Sequence, residues 1–342
     1  MSTATPVTLD TEVLSAYLEQ HVEGFRGPIN AEKFPGGQSN PTFLIEAASG
    51  KYVLRRKPPG ELLKSAHAVD REYRVLSALA DTPVPVAKVY HLCEDTEVIG
   101  SMFYLMEYID GRVFFNPALP EVSKEERSQM YAEMSRVLAE LHKVDVDAVG
   151  LSDYGRPGNY YERQISRWTT QYRATETETI PEMDTLIDWL AANTVADDGQ
   201  VCLAHGDFRL DNMMFAQDKP EVLALVDWEL STLGHPYADL AYQCMQLHLS
   251  NDGGVLPGLD GLDREALGIP TEEEYVAMYC KHMGIDKIEN WNFYLVFGFF
   301  RFAAILQGVK KRALDGNASN AAQGLQLGEL VKPLAEKAVA LI

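Results

Sequence analysis

The stretch Val201-Cys202-Leu203-Ala204-His205-Gly206-Asp207-Phe208-Arg209-Leu210-Asp211-Asn212-Met213-Met214-Phe215 reads as a short apolar strand, a polar loop and a second apolar strand. After a turn at Gln217 to Pro220, the run Val222-Leu223-Ala224-Leu225-Val226 forms a further strand that ends on Asp227, with Trp228 next. Moving a phosphoryl group to a hydroxyl needs a carboxylate that orients the nucleophile and accepts its proton. It also needs oxygen ligands that hold Mg²⁺ on the phosphates. Asp207 and Asn212 stand at the two ends of one loop and Asp227 ends the returning strand, so the segment offers both kinds of group. Taken singly, either Asp reads equally well as a turn cap, and it is the set in its strand context that points to chemistry.

The segments on either side differ in character. Residues 10–22 carry Val13, Leu14, Tyr17 and Leu18 on one helical face. Strand candidates follow at 31–33, 42–45 and 52–55, with turns at 34–40 and 48–50. Residues 65–80 place Val69, Tyr73, Leu76 and Ala80 at helical spacing before Pro83 and Pro85 break the pattern. Two more strand candidates, 88–92 and 102–108, complete a small antiparallel sheet, and Asp110-Gly111 leads out of it. From Lys124 onward helical patterns dominate, at 124–143, 160–174, 181–194, 237–249, 271–283 and 289–313. A β-rich lobe over 1–109 followed by a helical lobe over 110–342 is an α+β bilobal plan, with its site expected in the cleft.

Composition narrows the function. The 342 residues carry a formal charge of −20, which argues against nucleic acid as a partner, because affinity for a phosphate backbone rests on Lys and Arg. Residues 31–90 run against the trend, with nine Lys or Arg against six Asp or Glu, so one small region can hold phosphates. The four cysteines, at 93, 202, 244 and 280, have no metal-ligand spacing. Residues 1–14 lack the basic start and apolar run of a secretory signal, which leads us to expect a cytoplasmic protein. The apolar run from Trp291 to Val309 contains Arg301 and Gln307, a costly pattern in lipid, and reads as a core helix rather than a membrane span.

His205-Gly206-Asp207, Asn212 and Asp227 resemble the catalytic loop and metal-binding Asp of the aminoglycoside phosphotransferase and choline kinase families, distant relatives of protein kinases. The resemblance runs from about Phe34 to Arg312 and implies a protein-kinase-like fold. It implies Asp207 as catalytic base, His205 as a brace for the loop, and Asn212 and Asp227 as Mg²⁺ ligands. The donor is then ATP, with GTP an open alternative. A kinase also needs a cation on the phosphates, usually a Lys paired with a helix Glu. Alternation along Tyr52-Val53-Leu54-Arg55 puts Val53, Arg55 and Lys57 on one face, so either base can serve, and Arg55 is preferred. Glu72 shares a helical face with Val69 and Leu76, which makes it the expected partner of Arg55, with a solvated Glu as the alternative.

The loop Gly36-Gly37-Gln38-Ser39-Asn40 is similar to the family's phosphate loop, where backbone N–H groups and the side chains of Ser39 and Asn40 would hold phosphate oxygens. An ordinary turn fits the loop almost as well. Phe103 to Tyr108 resembles the inter-lobe hinge, with backbone groups of Glu107 and Tyr108 on a purine edge. Asp239 is similar to the Asp that supports the catalytic loop, and reads equally as a carboxylate in a first helical turn. The runs at 36–40, 53–60 and 205–212 look most like kinase-like domains found alone in bacteria or attached to acyl-CoA dehydrogenases, which implies a hydroxyacyl-CoA acceptor. An aminoglycoside, another small alcohol, or a non-catalytic nucleotide-binding scaffold stays open at this stage.

Overall fold

The structure is a computed structural model and describes residues 9–34, 40–58, 68–156, 158–251, 254–318 and 320–342. The chain divides into two compact units, one of residues 1–110 with Leu223–Glu229, the other of Gly111–Val222 with Leu230–Ile342.

The first unit opens with helix α1 (Thr11–His21), whose start is fixed by the Asp10 side chain accepting from Val13 N at 3.1 Å. Strands β1 (Ile29–Lys33), β2 (Thr42–Ala47) and β3 (Gly50–Arg56) follow. Helix α2 (Val69–Leu79) precedes β4 (Val89–Cys93) and β5 (Phe103–Glu107). The sheet is antiparallel in the order β1-β2-β3-β5-β4. Its pleat sorts the side chains by face. Phe43, Ile45, Leu54, Phe103 and Leu105 join Leu14 and Leu18 of α1 in one apolar core. Each such side chain stabilises the unit by about 1.5–3 kcal/mol on burial. The alternate positions Arg55 and Tyr104, paired across β3 and β5, face the other way, the side that α2 covers. Val13, expected on the buried face of α1, is 45% exposed, because an 11-residue helix lying on one sheet face buries only the narrow stripe of Leu14 and Leu18.

In the second unit α3 (Lys124–His142), α4 (Tyr160–Thr175) and α5 (Pro181–Ala192) come first. Short strands β6 (Cys202–Ala204), β7 (Met213–Phe215), β8 (Val222–Leu225, mostly within the first unit) and β9 (Thr232–Gly234) follow. Then come α6 (Pro236–Met245), the single turn α7 (Arg264–Leu267), α8 (Glu272–Met283), α9 (Trp291–Leu314), α10 (Ala321–Gly328) and α11 (Val331–Val339). The strand that pairs with β6 is β9, whose Thr232-Leu233-Gly234 lacks the apolar run that marks β6 in the sequence. Helix α9 is the axis on which α4, α6, α10 and α11 pack. It is long and apolar enough to cross a membrane, but 83% of its most apolar window is buried inside the protein. Its two buried polar or charged side chains, Arg301 and Gln307, are satisfied there. Arg301 donates to the Gly206 carbonyl at 2.7 Å and Gln307 donates to the Thr175 carbonyl at 2.6 Å. The fold is the α+β, protein-kinase-like type.

Candidate active site

The loop after β6 is built from a buried carboxylate outward. Asp239, in the first turn of α6, accepts from the backbone N–H of His205 at 2.6 Å and of Gly206 at 2.9 Å. Burial alone would raise the Asp239 carboxyl. The hydrogen bond and charge of His142 and the Gly206 N–H outweigh burial and hold the group below its ordinary value, so it is ionised at neutral pH. His142 Nε2 lies 3.5 Å from Asp239 Oδ2, and its Nδ1 is 2.7 Å from the Tyr279 hydroxyl.

Gly206 is thus fixed at both its N–H and its carbonyl. It has φ +83°, and a Cβ there would stand 2.5 Å from the Leu230 carbonyl oxygen, so no other residue fits without movement. The turn brings Asp207 to a half-buried position. The Asn212 amide donates to both the Asp207 carbonyl and Asp207 Oδ2, each at 2.9 Å. With both amide hydrogens engaged, the Asn212 oxygen is the atom of that group suited to a hard cation. His205 is fully buried, and its Nδ1 accepts from the Asp207 N–H at 3.3 Å. The loop therefore brings together Asp207, Asn212, His205 and Asp239.

Sequence reasoning gave no role to Arg209, Asp211 or Tyr242, although the first two lie inside the quoted motif. Arg209 Nη2 donates to Asp211 Oδ2 at 2.5 Å, and its Nε lies 3.7 Å from Asp207 Oδ1. Tyr242 is pushed well up by burial and by the Asp207 carboxylate. Arg209, Asp211 and Tyr242 line a cavity of about 240 Å³ whose other walls include Phe115, Met245 and Leu256.

In the first unit a second polar cluster forms around Glu72, which is 2% exposed. Arg55 Nε lies 2.8 Å from Glu72 Oε2, off the line of its N–H, so the contact is an ion pair rather than an aligned hydrogen bond. Arg55 Nη2 donates to Asp227 Oδ1 at 2.9 Å, and Tyr104 donates to Glu72 Oε2 at 3.1 Å. Burial raises the Glu72 carboxyl, opposed by Arg55; burial would lower the Arg55 guanidinium, but Glu72, Tyr104 and Asp227 carry it upward. Asp227 has φ +66°, an unusual backbone state for a residue with a Cβ and one that marks a constrained position. Lys57 pairs instead with Asp70 at 3.2 Å on the surface.

Where the sequence reading gives Asn40 a phosphate contact, the structure buries its side chain fully, and the amide donates to Glu72 Oε1 at 2.9 Å. Ser39, with Gly36, Gly37 and Gln38, lies outside the described residues. The Glu107 N–H is engaged inside the sheet by the Lys88 carbonyl at 2.8 Å, while Lys51 stands over the Tyr108 ring at 5.7 Å.

Residues 30–275 match the family model of the phosphotransferase enzyme family. The chain belongs to that family. Among solved structures, a protein of Ralstonia eutropha named for the aminoglycoside phosphotransferases superposes with a TM-score of 0.90 at 50% identity, over 98% of both chains. Spectinomycin phosphotransferase, solved with ADP and spectinomycin, shares the fold at a TM-score of 0.65 and 16% identity, over 98% of this chain and 99% of that one. Among curated proteins, mouse acyl-CoA dehydrogenase family member 10 is 48% identical over 338 residues, 97% of this phosphotransferase-family chain but 31% of the relative. The chain spans well under half the length of the curated relatives it matches.

Proposed function

We propose that this member of the phosphotransferase family is an ATP-dependent kinase that transfers the γ-phosphoryl group to a hydroxyl of a small molecule. The observation that carries this reading is the Asp207 carboxylate, held at Oδ2 by the Asn212 amide and set on a loop whose backbone is pinned by ionised Asp239. A carboxylate so positioned orients an acceptor hydroxyl and takes its proton as the new P–O bond forms. His205 braces the loop. Asn212 and Asp227 offer an amide oxygen and a carboxylate, a hard-oxygen donor set that fits Mg²⁺. When bound, Mg²⁺ neutralises phosphate charge and orients the γ-phosphoryl group.

Arg55, already paired with Glu72, is the cation we assign to the phosphates, in preference to Lys57. Asn40 then acts by holding Glu72, and Ser39 and the Tyr108 backbone keep their proposed nucleotide contacts. The ADP in spectinomycin phosphotransferase supports an adenine nucleotide as donor.

For the acceptor we favour a hydroxyacyl-CoA over an aminoglycoside. Among the described residues lining the cavity beside Asp207, the one carboxylate is Asp211, which pairs with Arg209. Among the described residues that lining offers a polycation little matching negative charge. At about 240 Å³ the cavity is smaller than the roughly 300–1,000 Å³ of sites that enclose a whole ligand, which suits an acyl end with the nucleotide portion outside. The names of the curated relatives point to acyl-CoA chemistry as well.

The test is a thermal-shift titration with ATP and GTP, with and without Mg²⁺, followed by phosphoryl transfer to hydroxyacyl-CoAs and aminoglycosides. Mg²⁺-dependent stabilisation and transfer to the thioesters support the reading. No stabilisation at millimolar nucleotide would leave a scaffold without nucleotide chemistry.

A further inference from the structure

Phe115 is 74% exposed, the most exposed large apolar side chain among the described residues, and Val255 is 39% exposed. Both line the cavity beside the catalytic loop, and they reach it from chain segments 140 residues apart. The neighbouring Phe114 behaves oppositely, being 6% exposed with its ring edge-on to Phe215. The segment is therefore anchored by one aromatic ring while it presents the next. The other walls include Met245, Leu249 and Phe302, and the charged pair Arg209–Asp211 lies on the loop that carries Asp207.

An isolated exposed ring needs no explanation, but two exposed apolar side chains on one cavity, whose lining mixes Met245, Leu249, Leu256 and Phe302 with polar groups, make an apolar edge that an alkyl chain would cover. We propose that Phe115 and Val255 form a selectivity rim that closes over the acyl chain of the acceptor and sets the chain length the enzyme prefers. This rests on the kinase reading above for the identity of the acceptor. The rim acts through buried apolar area, so its contribution grows with each methylene that reaches it, and it leaves the nucleotide and the transfer step untouched.

The experiment is titration calorimetry of 3-hydroxyacyl-CoAs with four-, six- and eight-carbon chains into the wild-type protein, Phe115→Ala and Phe115→Leu. Wild-type affinity is expected to rise about two- to fourfold per methylene, the gain for burying a CH₂ wholly or in part. Phe115→Ala should weaken the eight-carbon ligand about tenfold and the four-carbon ligand less than about twofold, and Phe115→Leu should restore most of the slope, as apolar contact requires. Wild-type affinity independent of chain length, an equal loss at every length in Phe115→Ala, or no binding would each overturn the proposal. Phosphoryl transfer from Mg-ATP is followed separately. Transfer without length discrimination sinks the rim and leaves the kinase standing, whereas length-graded binding without transfer does the reverse.

Discussion

Gly206 in the second unit and Asp227 in the first each have a constrained backbone, with φ of +83° and +66°. At Gly206 a side chain meets both penalties, an unfavourable φ and the Leu230 carbonyl. Gly206→Ala is therefore expected to lower unfolding stability by about 1–3 kcal/mol, read from urea denaturation, and to reduce transfer further by moving Asp207. An unchanged denaturation midpoint would mean that the loop relaxes freely. Asp227 is different, because its carboxylate is proposed to act on a ligand. Asp227→Ala should remove Mg²⁺-dependent stabilisation by ATP while the nucleotide-free protein keeps its fold, apart from losing the Arg55 contact. Motif order and helical spacing singled out Asp207, Asn212, Asp227, Arg55 and Glu72, and the structure pairs Asp207 with Asn212 and Arg55 with Glu72 and Asp227. The inward turn of Asn40 was not, since nothing in a loop sequence says whether an amide faces a ligand or a neighbouring carboxylate.

At the scale of elements, long periodic segments were readable, and short ones only where they are apolar throughout, as β6, β7 and β8 are. Helices α3, α4, α5, α8 and α9 lie within a few residues of the ranges set by their apolar spacing. Strand β9 did not show because Thr232-Leu233-Gly234 has a single large apolar residue, whereas the equally short β6 and β7 are apolar throughout; α10 and α11, at eight and nine residues, are shorter than the window in which helical period is readable. Arg301 was visible as an anomaly in an apolar helix, but its partner was not. It links α9 to the Gly206 carbonyl and lies over the Trp168 and Tyr242 rings at 5.8 and 5.5 Å. Arg301→Met removes that donor from a buried carbonyl and should cost about 1–3 kcal/mol by chemical denaturation. A smaller effect would show that water or another donor replaces it.

For the molecule as a whole, pH should act on stability through its histidines. Burial lowers His91, His235 and His282 from their ordinary 6.5, with Asp198 opposing this at His235. Their unfolded forms therefore bind protons first as pH falls through about 6.5, and stability is lost from there down towards their folded values. The buried carboxyls of Glu72 and Asp211 are raised and act in the opposite sense, so a variant is needed to isolate the histidine share. Denaturation midpoints should fall between pH 7.5 and 5.5, and His235→Gln should flatten that slope; an equal slope in the variant would exclude His235 from the effect.

The α+β class followed from the order of the patterns, strands first and helices after. The grouping of Leu223–Glu229 with the first unit, which places Asp227 beside Arg55, depends on contacts between residues 172 positions apart that no local pattern carries. If Asp207 accepts the proton in phosphoryl transfer, comparing transfer from Mg-ATP to hydroxyacyl-CoA by the wild-type protein and Asp207→Asn exposes that role. Turnover is expected to fall at least about 10²-fold with nucleotide affinity nearly unchanged, as for a lost base. Equal turnover in the two proteins would contradict it.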